Sequence, residues 1–254
     1  CIVWGGSLNL APADDKIIAV ERPLEIDAES KLLASIMAKK HSVSSTHILI
    51  DVPIGNNTKV KSMAQAFKLK REFEKIGKRL RKHIKVLITD GRQPIGNGIG
   101  PALEARDVLW VLKRDPRRPI DLEKKCLMMC SHIFGMVGVS NGYRKALEIL
   151  DSGRAYMKML QIIKAQEGKE IAAEDINIGK YQHDVLSNKS GRVASIDNLY
   201  ISRIARIAGA PADKGAGIYL YKHLNDKVKR GEKLFTVYSE SKRELEYAKD
   251  VAKS

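Results

Sequence analysis

The chain has 254 residues, of which 44% are hydrophobic and 30% charged, and its net charge is +15. This composition is typical of a soluble globular protein. The longest apolar runs are far shorter than the ~20 residues that cross a bilayer, and no basic region precedes the first apolar residues. We therefore expect no membrane span, no signal peptide and no membrane partner, and we predict a cytoplasmic location.

The first two thirds of the chain predict alternating helices and strands. A helix over Asp27–Lys40 leads into a strand over His47–Pro53, and a long helix over Val60–Ile84 leads into a strand over Lys85–Asp90. Three further helical patterns follow, at Pro101–Lys113, Asp121–Phe134 and Asn141–Ala165. Strands that are each followed by a glycine-containing loop and a helix favour an α/β fold with an open mixed sheet and flanking helices.

The composition changes after about Gly168. Short apolar runs separated by turns predict strands at Val193–Ile196, Gly217–Tyr221 and Leu234–Ser239, with helices at Asn198–Ala208 and Ser241–Lys253. We therefore predict two domains, an α/β domain over residues 1–168 and a smaller α+β domain over residues 169–254.

The positive charge suggests a nucleic-acid partner, because Lys and Arg side chains neutralise phosphates. Much of the excess lies on the predicted long helix, among its apolar residues: Lys68, Lys70, Arg71, Lys75, Lys78, Arg79, Arg81 and Lys82. A solvated outer face explains that pattern without a partner. Aromatic residues make up only 6% of the chain and no motif of the usual nucleic-acid modules occurs, so we expect no nucleic-acid partner. A basic nucleic-acid-binding or scaffold module remains an alternative.

Candidate ligand-binding residues cluster in the first predicted βα units. Ligands of open α/β sheets bind at the carboxyl ends of the strands, where we expect Asp51, Gly55, Asp90 and Gly91, with Lys59 in the loop just beyond. On the preceding helix, four-residue spacing places Asp27, Ser35 and Lys39 on one broad stripe. Each has an ordinary alternative: Asp27 as a helix N-cap, Ser35 as a small packing residue, and Lys39 as a surface charge.

A glycine-rich loop, Gly96-Asn97-Gly98-Ile99-Gly100, precedes the helix that begins at Pro101. Its backbone amides could bind an anion, but it lacks the spacing of a dinucleotide fingerprint, and we favour a tight turn. We predict no metal site, since no group of His and Cys residues has zinc-ligand spacing. Cys126 and Cys130 are interpreted as buried thiols of an apolar helix.

Four segments together resemble the thymidine phosphorylase family, the class II nucleoside phosphorylases. They are Leu10–Asp14, Ala34–Lys40 (Ala-Ser-Ile-Met-Ala-Lys-Lys), Ile50–Gly55 (Ile-Asp-Val-Pro-Ile-Gly) and Gly100–Val108. The resemblance extends in order over nearly the whole chain and is strongest to the archaeal-type AMP phosphorylase branch. It implies phosphorolysis of a nucleoside 5′-monophosphate (AMP, also CMP or UMP) to free base and ribose 1,5-bisphosphate, with inorganic phosphate as co-substrate and no other cofactor. A pyrimidine nucleoside (thymidine) phosphorylase is the alternative.

The resemblance also implies roles for individual residues. Asp27 matches the proton donor to the departing base, and Ser35 matches a residue that holds the ligand. Lys39 matches the lysine that contacts the base carbonyl in pyrimidine-specific relatives. Lys59 matches a nucleotide-contacting lysine of the AMP branch, where its ammonium would pair with the 5′-phosphate.

The family's phosphate-binding glycine-rich segment is expected before the Trp4-Gly5-Gly6 region. We therefore expect this chain to be the C-terminal portion of a longer enzyme and to be inactive by itself. Members of the family are usually dimers, so a homo-oligomer is expected for the full-length protein. A phosphoribosyltransferase-like enzyme would instead need a magnesium site, for which no acidic pair is evident.

Overall fold

The first unit of the fold is a pair of parallel strands flanked by helices. The computed structural model describes residues 2, 11, 12, 16 and 29–252. Within the continuous range the chain runs through α1 (Glu29–Ser42), β1 (His47–Ile54), α2 (Met63–Arg79) and β2 (His83–Asp90). β1 and β2 pair in parallel from His47 opposite His83 to Ile54 opposite Asp90. A parallel pair needs a crossover, and α2 supplies it.

One apolar core joins the two helices and two strands of this unit. It comprises Leu33, Met37, Ile48, Ile50, Val52, Val60, Ala66, Leu69, Phe73 and Val86, all of them buried. The core residues of β1 alternate along the strand and those of α2 recur at three- and four-residue spacing, as one buried face of each element requires. The basic residues Arg71, Lys75 and Lys78 are exposed and lie away from that face.

A group of four helices follows: α3 (Pro101–Leu112), α4 (Ile120–Met136), α5 (Gly142–Asp151) and α6 (Arg154–Ala165). Their core is formed by Val111, Leu127, Ala146 and Leu150. Within the ranges that the structure describes, no helix has the length and apolar content needed to cross a membrane.

The remaining residues form an antiparallel sheet with two helices. Its strands β3 (Gly98–Ile99), β4 (Tyr181–Leu186), β6 (Gly217–Leu220) and β8 (Lys233–Ser239) are ordered β3-β6-β8-β4. A separate small pair joins β5 (Gly191–Arg192) to β7 (Lys227–Val228), and a 3-10 turn spans Ala173–Asp175. α7 (Asn198–Ile207) and α8 (Lys242–Ala252) share a core with this sheet, around Ile204, Ile218 and Val237.

The predicted fold class is confirmed, since the structure combines helices with both parallel and antiparallel strands. The domain boundary at residue 168 stays a prediction. β3, which precedes that boundary in sequence, pairs with β6, which follows it.

The predicted helix over Val60–Ile84 is too long at its C-terminal end. The structure ends α2 at Arg79, and Arg81 takes a left-handed conformation with φ of 55°. The N–H of Lys82 then donates to the carbonyl of Gly77 at 2.8 Å, a Schellman-type ending. Glycine normally occupies the left-handed position of such an ending, and the arginine here gave no stop signal.

Two other predictions also differ from the structure. Asn141–Ala165 is two helices, because the chain turns at Ser152 and Gly153, where φ is 74°. Val193–Ile196 is a loop, and the strand pairing ends one residue earlier, at Arg192. The prediction of buried thiols is wrong as well, since Cys126 and Cys130 are exposed along an apolar groove of about 250 Å³.

Backbone N–H groups of the glycine-rich loop before α3 donate hydrogen bonds to carboxylates of the same chain. Asp107 Oδ2 accepts from the N–H groups of Asn97 and Gly98 at 2.7 Å each, Asp121 accepts from Gly96 at 3.0 Å, and Glu104 accepts from Gly100 at 3.0 Å. A Cβ on Gly100 would lie 2.4 Å from the carbonyl oxygen of Ala216. The tight-turn interpretation therefore describes this loop better than an anion cradle does.

Asp107 is the buried carboxylate that stabilises this loop. It is only 2% exposed, and burial raises its pKa although the two N–H bonds oppose that shift. We expect Asp107→Ala to lower the free energy of unfolding by on the order of 3 kcal/mol, because two N–H groups lose their acceptor. Asp107→Asn keeps an acceptor oxygen and should lose less. Urea unfolding of both variants measures the difference, and equal losses would contradict the assignment.

Glu123, 7% exposed, is bonded by Arg114 and Arg118, and Arg114 also bonds Asp151 at 2.8 Å. Burial raises the pKa of Glu123, but the two arginine bonds outweigh it and hold the pKa below its ordinary 4.5. The stabilisation is therefore complete above the ordinary value and disappears as the pH falls through the lowered one. Glu123→Gln should destabilise the protein at pH ~7 by more than at pH ~3, as measured by urea unfolding. A pH-independent loss would argue against the ion pairs.

Candidate functional site

Ser35 and Lys39 lie one turn apart on α1, and both are half-buried. The core residue Leu33 lies two positions before Ser35, and the core residue Met37 lies two positions before Lys39. Two positions correspond to a rotation of about 200° around the helix axis. Ser35 and Lys39 therefore share the face of α1 that is turned away from the core. Asp27, the predicted proton donor, lies outside the described residues.

Lys59 is exposed in the turn that follows β1. The turn is closed by its own backbone and by Thr58, whose hydroxyl lies 2.9 Å from the Gly55 carbonyl oxygen and 2.6 Å from that of Val60. The N–H of Thr58 donates to Gly55 at 3.2 Å, and Ile54 and Val60 form an isolated bridge. The backbone of Lys59 is thus set by a compact turn at the carboxyl end of β1.

The loop that follows β2 packs directly against that turn. The N–H of Gly91 donates to the carbonyl of Ile54 at 2.8 Å. A Cβ on Gly55 would lie 2.6 Å from the carbonyl oxygen of Gly91, and a Cβ on Gly91 would lie 2.7 Å from Cγ2 of Thr58. Both positions therefore require glycine, and the prediction that Gly55 and Gly91 meet at one edge is confirmed.

Asp90 and Arg92 flank Gly91 and form a bidentate ion pair. Arg92 Nη2 lies 2.7 Å from Asp90 Oδ2, and Arg92 Nε lies 3.0 Å from Asp90 Oδ1. The side-chain hydrogen bond from Arg92 is the main reason that the pKa of Asp90 is lowered. Asp90 therefore lies at the expected edge as a paired carboxylate.

The placement of Asp51 at the ligand-binding edge is wrong. Asp51 lies within β1, three residues before its end, and its side chain is directed at α4. Lys125 Nζ lies 2.6 Å from Asp51 Oδ2, and the Thr89 hydroxyl donates to Oδ1 at 2.7 Å. Its role is to join α4 to both parallel strands.

A polar crevice of about 330 Å³ separates these loops from the start of α7. Asn57 and Arg92 line one side, and Asp197 and Asn198 line the other. Asn57 Nδ2 donates to Asp197 Oδ1 at 2.7 Å, and Asn198 Nδ2 donates to the carbonyl of Gly91 at 2.9 Å. The sequence predicted a helix start at Asn198 but gave no sign that residues 140 positions apart would bond.

Of the four predicted site residues, three (Ser35, Lys39 and Lys59) thus lie on the unit formed by α1, β1, α2 and β2. α1 carries Ser35 and Lys39, and it shares its core with β1, whose following turn carries Lys59. Among the described residues, no group of three or more His, Cys, Asp and Glu side chains could hold a metal ion. Glu104 accepts a hydrogen bond from the N–H of Gly100.

The sequence comparisons agree on one family. Residues 192–254 match the family model described as "Pyrimidine nucleoside phosphorylase C-terminal domain". The chain is 46% identical over 252 residues to a protein of Albidiferax ferrireducens and 47% identical over 251 residues to one of Rhodopseudomonas palustris, each named "Putative thymidine phosphorylase". A third, from Methylococcus capsulatus, has the same name and is 42% identical over 257 residues.

These alignments include 98–100% of this chain and 48–49% of each relative. The chain therefore spans about half the length of the curated relatives that it matches. Similarity at this level over practically the whole chain confirms the resemblance to the thymidine phosphorylase family that the sequence motifs indicate.

Proposed function

We propose that the protein containing this chain catalyses phosphorolysis of a pyrimidine nucleoside, with thymidine as the first candidate substrate. The names of the relatives support a nucleoside substrate. The observation that carries the proposal is the placement of Ser35 and Lys39 on one half-buried face of α1, within the segment Ala34–Lys40 that resembles the family motif.

The reaction requires two bond changes at one carbon atom. A phosphate oxygen forms a bond to the anomeric carbon, and the bond from that carbon to the base nitrogen breaks with its electron pair remaining on the base. The charge that develops on the base must be neutralised by a proton or a hydrogen bond. In this proposal Asp27 supplies the proton.

Ser35 and Lys39 would hold the base in that reaction. A hydroxyl both donates and accepts, so Ser35 can bond the amide-like edge of a pyrimidine. An ammonium such as that of Lys39 donates only, and it would stabilise negative charge on a pyrimidine carbonyl as the glycosidic bond breaks. Such contacts strengthen in the transition state and therefore act on kcat as well as on KM.

A nucleoside 5′-monophosphate is the second candidate substrate, and AMP, CMP and UMP would each yield ribose 1,5-bisphosphate. Lys59 favours it, because this exposed ammonium lies at the carboxyl end of the parallel strands. The nearby carboxylates Asp90 and Asp197 are engaged by Arg92 and Asn57 respectively. Arg92 thereby compensates the negative charge of Asp90, which lowers the repulsion that a dianionic phosphate would meet there.

Inorganic phosphate would be the co-substrate, and its binding groups belong to the expected upstream segment. On this proposal the chain contributes the base side of the active site, and base release requires the rest of the protein. A dimer or a higher homo-oligomer is part of the same proposal.

The proposal is tested by phosphate-dependent release of base from thymidine, uridine, AMP and CMP. Both this chain and a protein extended upstream to the length of its relatives are assayed. We expect activity in the extended protein alone, with Ser35→Ala lowering kcat/KM roughly tenfold, the equivalent of one neutral hydrogen bond. No base release from any substrate by the extended protein would refute the proposal.

Lys59→Ala separates the two candidate substrates. If a 5′-phosphate is bound, the variant should raise KM for AMP and CMP by roughly ten- to a hundredfold, the equivalent of one charge-assisted bond, and leave thymidine unaffected. Lys61→Ala removes an equal charge from an exposed position two residues away and is the matched control. Equal effects of the two substitutions would exclude a specific role for Lys59.

A further inference from the structure

Two consecutive residues at the start of α7 bond the two loops at the candidate site. Asp197 accepts from Asn57 in the turn after β1, and Asn198 donates to Gly91 in the loop after β2. The bonded residues are 140 and 107 positions apart in sequence. We infer that Asn57, Asp197 and Asn198 are positioning residues that hold the turn carrying Lys59 in its ligand-binding position.

The chemistry of the partners determines the orientation of both amides. A carboxylate has only acceptor oxygens at neutral pH, so Asn57 must present its NH₂ group to Asp197. A backbone carbonyl also accepts only, so Asn198 must present its NH₂ group to Gly91. Neither amide can flip without losing its hydrogen bond, so each side chain has one orientation, as a positioning role requires.

Asp197 has a fixed place because it also caps α7. Its Oδ1 accepts from the N–H groups of Leu199 at 2.9 Å and Tyr200 at 3.0 Å, in addition to Asn57. The helix that it begins is anchored in the core of the antiparallel sheet through Ile204, which is fully buried. Asn57 is thus hydrogen-bonded to a helix that packs in the core of the antiparallel sheet, separate from the core of β1 and β2.

The turn transmits that position to Lys59. Only Thr58 separates the two residues, and the Thr58 hydroxyl is bonded to carbonyl oxygens on both sides of the turn. Gly55 and Gly91 leave no space for the turn to move toward β2. Loss of the Asn57 contact should therefore let the turn move and carry Lys59 away from a ligand. Binding would then have to order the turn first, and that cost would lower the affinity.

This inference rests on the second candidate substrate of the proposed function, a nucleoside 5′-monophosphate, since it assumes that Lys59 contacts the 5′-phosphate. The test uses the extended protein and the substrate on which Lys59→Ala has its largest effect. Asn57→Ala should raise KM about three- to tenfold with little change in kcat, less than the loss of a charge-assisted hydrogen bond to the ligand, because the contact acts on the ligand only through the turn. Lys61→Ala, exposed and outside the crevice, is the control and should leave KM unchanged.

Asp197→Ser provides a second variant that still folds. Serine remains a good N-cap, so α7 keeps its capping acceptor, while the shorter uncharged side chain loses the contact with Asn57. Its effect on KM should equal that of Asn57→Ala, and the double variant should show no further loss, because both remove one contact.

Combination with Lys59→Ala makes the test specific. If Asn57 acts through Lys59, Asn57→Ala should have no further effect on KM in the Lys59→Ala background. An unchanged KM for Asn57→Ala, or an equal effect in both backgrounds, would overturn the positioning role while leaving the proposed function intact. If Lys59→Ala itself alters no substrate's KM, the positioning role is overturned, and base release by the extended protein decides separately whether the proposed function stands.

Discussion

The contact between Gly55 and Gly91 is the constraint on which the candidate site depends. β1 and β2 pair in parallel through Ile54 and Asp90, so the loops that follow them leave the sheet side by side. The backbones approach so closely that a Cβ at either glycine would lie within 3 Å of the other loop. This contact brings Lys59 and Arg92 to one edge, and it leaves the Gly91 carbonyl in reach of Asn198.

Two buried carboxylates, Asp107 and Glu123, stabilise other parts of the fold, and their surroundings shift their pKa values in opposite directions. Asp107 accepts from backbone N–H groups in a buried position, and burial raises its pKa. Glu123 is also buried but is bonded by two arginines, and its pKa is lowered. The first holds the glycine-rich segment that precedes α3, and the second joins α4 to its neighbours. Two buried carboxyl groups with different partners thus serve different structural tasks.

The local pattern of the sequence was sufficient for most elements and for the common edge of the two glycine loops. It failed where the decisive residue was atypical: Arg81 occupies the left-handed position that ends α2, where glycine is usual. Val193–Ile196 is a short run bounded by turns, as a strand often is, but pairing with Lys227–Val228 has already ended there. Asp51 follows the strand pattern too, and only the position of Lys125 on a distant helix shows that it faces α4.

The contacts of Asp197 and Asn198 could not be found from sequence for a more general reason. Their local signal, an Asp-Asn pair before an apolar helix, is fully explained by capping. The same carboxylate oxygen that caps α7 also accepts from Asn57, so a residue with a complete local explanation takes part in a long-range contact. A single acceptor with both tasks couples the order of the Lys59 turn to the packing of α7. On the positioning role inferred for Asn57, substitutions in the core around α7 are expected to alter substrate affinity without contacting the ligand.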